Sequence, residues 1–492
     1  MTTTTFDEPA LDIAATPQTH PAHPRSLEAA RLFAGLIIGT ALLASVAIWN
    51  GFPLVYYDSG SYLAMSIQHW PHFERPIPYG LFIGLAGLEK TLWGAIAGQS
   101  LILFSLIYFA FWRLARAPYP LTAALGATLI LVLFTAAGYT TGFLMPDAFT
   151  PIAALATALL LATPALRSWE LAVLSTIAIA ANVTHLSHLL QSSAFALLLL
   201  AACGFANLCR RPLPIHRIRI ATVAAVAISS WLTLLVINAV ITHRLFISDS
   251  TSIFLAGKLA DTGLLKDYLD RYGQQNGYQL SKYKDRFPMT SIQFLWKDIS
   301  PLKAMGGWKA SKPDCDRIVR DMLIRPPYLA RFIWASLRDG TRMCLNFDVY
   351  TFPAFLERSE VLPPLRQYYP RDLPAYLNAR QQHGELVDQS NRSSFTRLNR
   401  SQNALVSLSL LAIAAVFTIP RYRQRIPAPT LLCAAALLTF VLLNGYICGA
   451  LSAIIDARYQ SRIIWLLPLA AMLLLSSLWT NPLTTAKKSY TN

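Results

Sequence analysis

The sequence predicts an all-α membrane protein. Hydrophobic residues make up 54% of the 492 residues and charged residues only 14%, and apolar runs close to the length of a spanning helix recur along the chain. A helix needs about twenty apolar residues to cross the hydrocarbon core of a bilayer. Because runs of this length repeat many times, the chain is expected to cross a membrane several times.

Ten apolar runs predict spanning helices, and the last three are separated from the first seven by a long polar segment. The runs lie near residues 32–50, 91–112, 120–138, 148–165, 170–186, 189–207, 218–241, 403–419, 428–448 and 462–479. A shorter apolar stretch at 79–89 predicts a re-entrant or interfacial helix, because it is too short for the hydrocarbon core. The sequence therefore predicts a bundle of about ten or eleven helices.

This pattern also predicts the division of the chain into domains. Residues 1–28 are polar and rich in Thr, Pro and His, which predicts a disordered cytoplasmic tail. An N-terminal transmembrane module at 29–241 contains a first external loop at 51–79. A mainly helical external domain at 242–402 contains Cys315 and Cys344, which are either bridged or free. A three-span module at 403–480 and a cytoplasmic tail at 481–492 complete the chain.

Basic residues predict the orientation. With the N-terminus in the cytoplasm, every inside connection carries positive charge, as the positive-inside rule requires. This topology and anionic lipid explain the net charge of +16, and no aromatic-interleaved basic stripe indicates a nucleic-acid partner. The inside residues are Arg25, Arg31, Arg113, Arg116, Arg167, Arg210, Arg211, Arg217, Arg219, Arg421, Arg423, Arg425, Lys487 and Lys488.

The same orientation gathers the unusual polar residues on the outer face. Asp58 stands in YYDSGSYL of the first external loop, where a plain connection needs only a turn, and an ionisable residue beside a span is a functional-site candidate. Asp58 is the candidate catalytic base, although an Asx-turn beside Gly60 is the structural alternative. Asp147 follows Pro146 at the outer start of a later run. A helix N-cap is its structural alternative, and its pairing with Asp58 favours function.

Further candidates for substrate binding lie on the same face. Arg75, His185 and Arg458 carry the groups that stabilise a phosphate, and Tyr57, Glu74 and Tyr459 lie beside them in the sequence. Each has a simpler interpretation, because histidines and arginines at span ends are often interfacial anchors. Arg462, four residues after Arg458 and on the same helical face, is interpreted as such an anchor. A transporter is expected to carry ionisable groups at mid-span, often within two similar halves. Neither feature is seen, which favours an enzyme.

The plan resembles the type C (GT-C) glycosyltransferases, polytopic enzymes that use polyprenyl-phosphate-linked sugars. Asp58 matches the acid in their first external loop, and Asp147 matches a second acid at the start of a later span. ERPIPYGLFIG followed by Gln99 is similar to the stretch leading into the next span of bacterial members, and DARYQSRIIWLLPL at 456–469 to an Arg-Tyr signature. One departure is that Asp58 stands alone before Ser59, without a paired Asp-Glu.

The resemblance implies a GT-C-like bundle in the bacterial inner membrane, with its active site facing the periplasm. The expected reaction transfers a sugar from a polyprenyl-phosphate donor to an acceptor lipid, glycan or protein, with inversion and with Asp58 as general base. A divalent cation between Asp58 and Asp147 is a candidate cofactor. Two alternatives stay open, namely a lipid-linked glycan ligase or polymerase, and a transporter or flippase of glycolipids.

Overall fold

The computed structural model describes residues 25–210, 215–349, 352–356, 359–452 and 454–480. The protein is an all-α, multi-pass membrane protein, and the described residues form no β-strand. Most of the predicted tail at 1–28, the whole predicted tail at 481–492 and Arg211 lie outside the described residues. Residues 25–28 belong to the first helix.

The N-terminal half consists of ten α-helices joined by short connections. The helices are α1 (Arg25–Asn50), α2 (Ser59–Gln68), α3 (Pro78–Gly87), α4 (Trp93–Ala110), α5 (Pro120–Phe134), α6 (Ala137–Thr141), α7 (Phe149–Ala162), α8 (Ser168–Val183), α9 (Leu186–Leu208) and α10 (Arg217–Thr242). A π-helical turn at Phe111–Ala115 continues α4, and a 3-10 turn at Pro146–Ala148 leads into α7.

The polar region between the two membrane modules is also helical. It contains α11 (Thr251–Asp261), α12 (Leu264–Tyr272), a 3-10 helix at Gln279–Arg286, α13 (Ser291–Leu295), α14 (Pro301–Ala304), α15 (Trp308–Leu323), α16 (Pro326–Leu345), α17 (Leu362–Tyr368) and α18 (Leu373–Leu377). The last part of the chain forms α19 (Asp388–Thr418), α20 (Pro420–Arg423), α21 (Ala428–Leu451), α22 (Arg458–Ile464) and α23 (Leu466–Thr480).

Every predicted span is helical, but the spans differ in length. Seven segments of the described chain are long and apolar enough to cross a membrane, namely α1, α4 with its π turn, α9, α10, the apolar part of α19, α21, and α22 with α23. The runs predicted at 120–138, 148–165 and 170–186 form the shorter helices α5, α7 and α8, of 15, 14 and 16 residues. Helices of this length reach only about 21–24 Å at 1.5 Å per residue.

The burial of α7 explains how a short helix can belong to the bundle. All its residues are buried, and it packs against α4, α8 and α21. A helix enclosed by other helices has its apolar surface covered by protein, so its length does not have to match the bilayer. The ten-residue helix α3, predicted at 79–89 as re-entrant or interfacial, likewise packs against α2 and α4.

Two hydrophobic cores divide the polar region. Residues 253–328 form a core of their own, which we call the polar unit, and it contains the buried Cys315. Residues between 349 and 386 instead join the core of the membrane helices. Both Cys315 and Cys344 are free thiols. The domain boundaries at 29–241, 242–402 and 403–480 remain predictions.

The bundle has two ends, which are identified by the helices that begin or finish there. The end where α1 finishes and α7 begins is called the site end here. At the opposite end, arginines bind backbone carbonyls of neighbouring helices, since Arg219 donates to Ala162 O at 3.2 Å and Arg425 to Leu478 O at 3.3 Å. Guanidinium groups suit these positions because helix C-termini carry partial negative charge.

Candidate active site

The first loop lies beside the segment that leads into α7. Leu54 N donates to Gly142 O at 2.9 Å, and Leu144 N donates back to Leu54 O at 2.8 Å, which makes an isolated parallel bridge. The two predicted acids, Asp58 and Asp147, stand a few residues beyond these paired positions. The bridge therefore brings both acids to the site end.

Gln99 holds the α7 side of this bridge. Its side chain is fully buried, and Nε2 donates to Thr141 O at 2.7 Å and to Phe143 O at 3.0 Å. Gln99 Oε1 accepts from Tyr79 Oη at 3.2 Å. A primary amide can donate twice and accept at once, so one side chain fixes three points of the chain. Gln99 thus positions the segment before Asp147.

Gln381 fixes the first loop in the same way. Gln381 Oε1 accepts from Val55 N at 3.0 Å, and Nε2 donates to Val55 O at 2.8 Å and to Pro353 O at 3.1 Å. Its own backbone N donates to Asn50 Oδ1 at 2.8 Å. Gln381 is fully buried. The polar region after α16 is therefore part of the scaffold that holds the Asp58 loop.

Asp58 forms an ion pair with Arg75. Arg75 Nη2 contacts Asp58 Oδ1, while Nη1 contacts Glu74 Oε2 at 3.1 Å. The side chains of Asp58, Arg75 and Glu74 are 26%, 15% and 22% exposed. Asp58 precedes α2, yet its carboxylate makes no capping hydrogen bond there. The side chain is therefore directed to Arg75, and the predicted residues Glu74 and Arg75 lie with it.

Electrostatics distinguish the members of this group. Burial alone would lower the pKa of Arg75, but the charges of Asp58, Tyr62 and Glu74 outweigh it and raise the pKa. Burial raises the pKa of Glu74, more than Arg75 lowers it. Arg75 consequently stays cationic, and Glu74 takes up a proton more readily than an exposed glutamate does.

Asp147 is enclosed by two arginines. Its carboxylate is 2% exposed, and its Oδ1 lies 3.5 Å from Arg462 Nη1 and 4.0 Å from Arg458 Nε. Both arginines are almost fully buried. Two guanidinium charges therefore face one carboxylate. The excess of one positive charge, away from water, favours an anionic ligand.

Arg462 is held in place by neutral polar side chains. Arg462 Nη2 donates to Ser187 Oγ at 3.2 Å and to Asn444 Oδ1 at 3.1 Å. Asn444 in turn accepts from Gln191 Nε2 at 2.8 Å and donates to Gln460 Oε1 at 2.8 Å. These residues come from α9, α21 and α22. They fix Arg462, so its orientation does not depend on Asp147 alone.

Arg458 is less fully bonded than Arg462. Its Nε and Nη1 have no hydrogen-bond partner in the described part of the chain, and its guanidinium carbon lies 4.3 Å from the ring centre of Tyr56 and 5.1 Å from that of Tyr459. It lines a cavity of about 20 Å³ together with Asp147 and Arg462. Buried N–H groups without partners are costly. Arg458 is therefore equipped to bind an oxygen-rich anion.

Tyr62 connects the two acidic groups. The charges of Asp58, Arg75, Asp147 and Arg458 all act on its hydroxyl. Burial is the largest cause that raises the pKa of Tyr62, and the two carboxylates raise it further. The Asp58 group and the Asp147 group therefore both lie in the electrostatic neighbourhood of Tyr62, which stays protonated.

His185 lies at the edge of this neighbourhood. It precedes α9, and its Nδ1 lies 2.8 Å from Ser187 Oγ, the same oxygen that accepts from Arg462. Burial, followed by the positive charges of Arg462 and Arg458, lowers the pKa of His185 to about 3. The imidazole is therefore neutral near pH 7, and it acts as a hydrogen-bonding group beside the arginines rather than as a cation.

The two predicted tyrosines occupy different positions. Tyr459 packs beside both arginines, with Arg462 5.3 Å from its ring centre. Tyr57 is 53% exposed, and its ring centre lies 4.8 Å from that of Phe355 and 5.1 Å from that of Tyr56. Tyr459 thus belongs to the Asp147 group, whereas Tyr57 lies at the solvent-facing rim.

The divalent cation considered between Asp58 and Asp147 stays a prediction. Each carboxylate is paired with arginine, and within the described ranges no three His, Cys, Asp or Glu side chains converge. A cation between the two acids would have to compete with guanidinium groups already in contact with them.

Sequence reasoning missed several residues of this neighbourhood. It interpreted Arg462 as an interfacial anchor, and it did not single out Asn444, Gln191 or Tyr56. Asn444 and Gln191 do carry a signal, because each is an amide inside an otherwise apolar helix. Polar groups at such positions need partners.

No family model, no curated protein and no solved structure matches the chain. The resemblance to type C glycosyltransferases therefore rests on the motifs alone.

Proposed function

We propose that the protein is a membrane glycosyltransferase that moves a sugar from a polyprenyl-phosphate donor to an acceptor lipid, glycan or protein. The observation that carries the proposal is Arg458, a buried guanidinium with unpartnered N–H groups in the cavity that contains Asp147, next to the Asp58 group. Buried guanidinium groups beside a carboxylate base suit a reaction that releases a phosphate and takes up a proton.

The donor phosphate binds to Arg458, with Arg462 fixed behind it. Charge-assisted bonds from guanidinium to phosphate are strong and directional, and they strengthen as charge develops on the leaving oxygen. Neutral His185 and Tyr459 fill the space beside the arginines. The cavity of about 20 Å³ has room for about one water molecule, so it widens when a phosphate enters.

Asp58 acts as the base toward the acceptor hydroxyl. When Arg75 turns to the donor phosphate, the Asp58 carboxylate is released and accepts the hydroxyl proton. The acceptor oxygen forms a bond to the anomeric carbon, while the bond from that carbon to the phosphate oxygen breaks. The polyprenyl phosphate leaves with the bonding electrons, and the anomeric centre inverts.

The cellular setting is part of the same proposal. The membrane is the bacterial inner membrane, the N-terminus is cytoplasmic, and the site end faces the periplasm. Support comes from the arginines that bind helix ends at the opposite end, which agrees with the positive-inside rule.

The test is turnover of the purified full-length protein with a panel of polyprenyl-phosphate sugars, followed as release of polyprenyl phosphate. The Asp58→Asn variant should fold and bind the donor but lose turnover by about a hundredfold or more. Asp298→Asn, at a fully exposed carboxylate in the polar unit, is the matched control. Full turnover in Asp58→Asn would refute the assignment of the base.

The same assay separates the alternatives. Release of a diphosphate-linked carrier instead of a monophosphate would favour the ligase or polymerase. Movement of the donor across vesicles without any release would favour the transporter or flippase. Assays with EDTA and with added Mg²⁺ determine whether a divalent cation takes part.

A further inference from the structure

Helix α16 has an exposed apolar face that the polar unit does not cover. Tyr328, Ala335, Asp339 and Met343 are buried on one side of the helix. On another side, Ile333, Trp334, Leu337 and Leu345 are 49%, 71%, 49% and 76% exposed. Large exposed apolar groups on one face of a helix mark a surface for a membrane or for a protein.

Contacts with α21 define where α16 lies. A Cβ atom added to Gly449 would overlap the backbone of Gly340, and one added to Gly445 would overlap Cys344. The two helices therefore approach closely through small residues. Residue numbers rise along α16 in the direction in which they fall along α21, so the two helices are antiparallel. Helix α16 therefore descends from the site end beside a membrane-spanning helix.

The depth of this descent follows from helix geometry. Cys344 Sγ lies 3.8 Å from Leu442 O, and Leu442 stands about 13 Å below the end of α21 at 1.5 Å per residue. Leu442 and Tyr446 are 45% and 38% exposed on a helix long and apolar enough to span the membrane. The exposed face of α16 continues this lipid-facing surface, so lipid is the partner that covers it.

A basic stripe runs along α16 next to the apolar face. Arg331, Arg338 and Arg342 are spaced seven and four residues apart, so they share one side of the helix. Arg338 stands just before Gly340, which contacts α21 near its end, and this places Arg338 near the level of the lipid headgroups. Arginine and tryptophan are the residues that anchor proteins at that level.

A groove lies beside this stripe. It has a volume of about 380 Å³ and is lined by Arg331, Trp334 and Arg338 of α16 and by Thr262 and Leu264 at the start of α12. Arg331 Nη1 contacts Asp267 at 2.7 Å, and Arg338 Nε contacts Asp339 at 2.9 Å. A guanidinium has five N–H donors, so each arginine retains donors for another anion.

We propose that α16 enters the leaflet on the site side of the membrane, and that the groove beside it binds the headgroup of an anionic glycerophospholipid through Arg331 and Arg338. Leu345 lies among the acyl chains, and Leu337 and Trp334 lie at the headgroup level. The surface is separate from the cavity of Asp147 and Arg458, so its test does not require turnover.

Photo-crosslinking tests the insertion. Benzoylphenylalanine replaces Leu345, the deepest residue of the exposed apolar face, in one sample and Ile299, an exposed apolar residue of the polar unit, in a matched control. The full-length protein is placed in nanodiscs of phosphatidylcholine and phosphatidylglycerol. Lipid adducts at position 345, well above those at 299, are expected. Equal labelling at the two positions would overturn the insertion of α16.

Lipid retention tests the groove. Native mass spectrometry counts the phosphatidylglycerol that remains bound to the wild-type protein, to Arg331→Gln and Arg338→Gln, and to Arg320→Gln. Arg320 is an exposed arginine on α15, away from the groove. Retention should fall about fivefold for each groove arginine and stay unchanged for Arg320→Gln. An equal effect of all three variants would overturn the headgroup site. If a groove variant fails to fold, the crosslinking experiment still tests the insertion of α16.

Discussion

Buried arginine–carboxylate groups stand at both ends of the bundle, and they differ in how completely they are bonded. At the opposite end, Arg113 contacts the buried Glu170 through Nη1, and its Nη2 donates to Pro164 O at 3.0 Å and to Ala165 O at 3.1 Å. The second oxygen of Glu170 accepts from Arg167 N at 2.8 Å. The hydrogen-bonding groups named here therefore find their partners within the group.

The group at the site end is less completely hydrogen-bonded. Asp147 faces both Arg458 and Arg462, and Arg458 keeps N–H donors without a hydrogen-bond partner among the described residues. A saturated ion pair fixes a fold, whereas an unsaturated one retains capacity for a ligand. The difference supports the proposal that the Glu170 group is structural and that the Asp147 group binds the donor.

The largest expected effect comes from exchanging the two acids for amides. Asp147→Asn should lower turnover per folded molecule by about a hundredfold or more, because it disturbs both arginines at the leaving phosphate. Glu170→Gln should lower the free energy of unfolding by about 1–3 kcal/mol while turnover per folded molecule stays unchanged, because it leaves the partly buried Arg113 without its counter-charge. Lipid-phosphate release and thermal unfolding measure the two quantities.

The comparison would fail if both acids behaved alike. Equal loss of turnover per folded molecule in the two variants would mean that the completeness of hydrogen bonding does not distinguish a structural group from a functional one in this protein.

A smaller effect is expected from the scaffold of the site. Gln381→Ala leaves the buried Val55 N–H and C=O without partners, which should lower the free energy of unfolding by about 1–3 kcal/mol. Turnover should fall as well, because the Asp58 loop loses its anchor. Gln274→Ala, at an exposed position of the polar unit, should change neither quantity. Retained turnover in a folded Gln381→Ala variant would show that turnover does not depend on the hydrogen bonds by which Gln381 fixes the first loop.

The smallest effect concerns acid pH. The pKa of His185 is about 3 in the folded protein, below the ordinary value of 6.5, so the unfolded chain binds the proton more readily. This contribution to stability is complete above pH 6.5 and declines as the pH falls from 6.5 toward 3. His185→Asn should therefore melt with a shallower loss between pH 7 and pH 5. An unchanged slope would contradict a buried neutral imidazole.

Much of the fold could be predicted from the sequence, because membrane helices carry their signal in local composition. The apolar runs predict each of the seven described segments that are long enough to span a membrane, and even the short stretch at 79–89 forms α3. The lengths of α5, α7 and α8 could not be predicted, since enclosure by other helices relaxes the bilayer constraint. The return of residues 349–386 into the membrane core also depends on tertiary contacts such as those of Gln381.

The candidate site was predictable in part for a similar reason. Asp58 and Asp147 attract notice as charges beside apolar runs, and both lie in one neighbourhood with Arg458. Arg462 was interpreted as an anchor, because an arginine near a span end commonly lies at the interface. Only packing against α9 and α21 shows that it is buried and bonded to Ser187 and Asn444.

Affinity for polyprenyl phosphate tests the central claim most directly, because it reports on the unsaturated arginine without requiring an acceptor. The wild-type protein is compared with Arg458→Gln and with Arg380→Gln, an arginine at the same end that is half exposed and paired with Glu385. Arg458→Gln should weaken binding about tenfold to a hundredfold, and Arg380→Gln should leave it unchanged. Equal affinity of Arg458→Gln and the wild type would contradict the account.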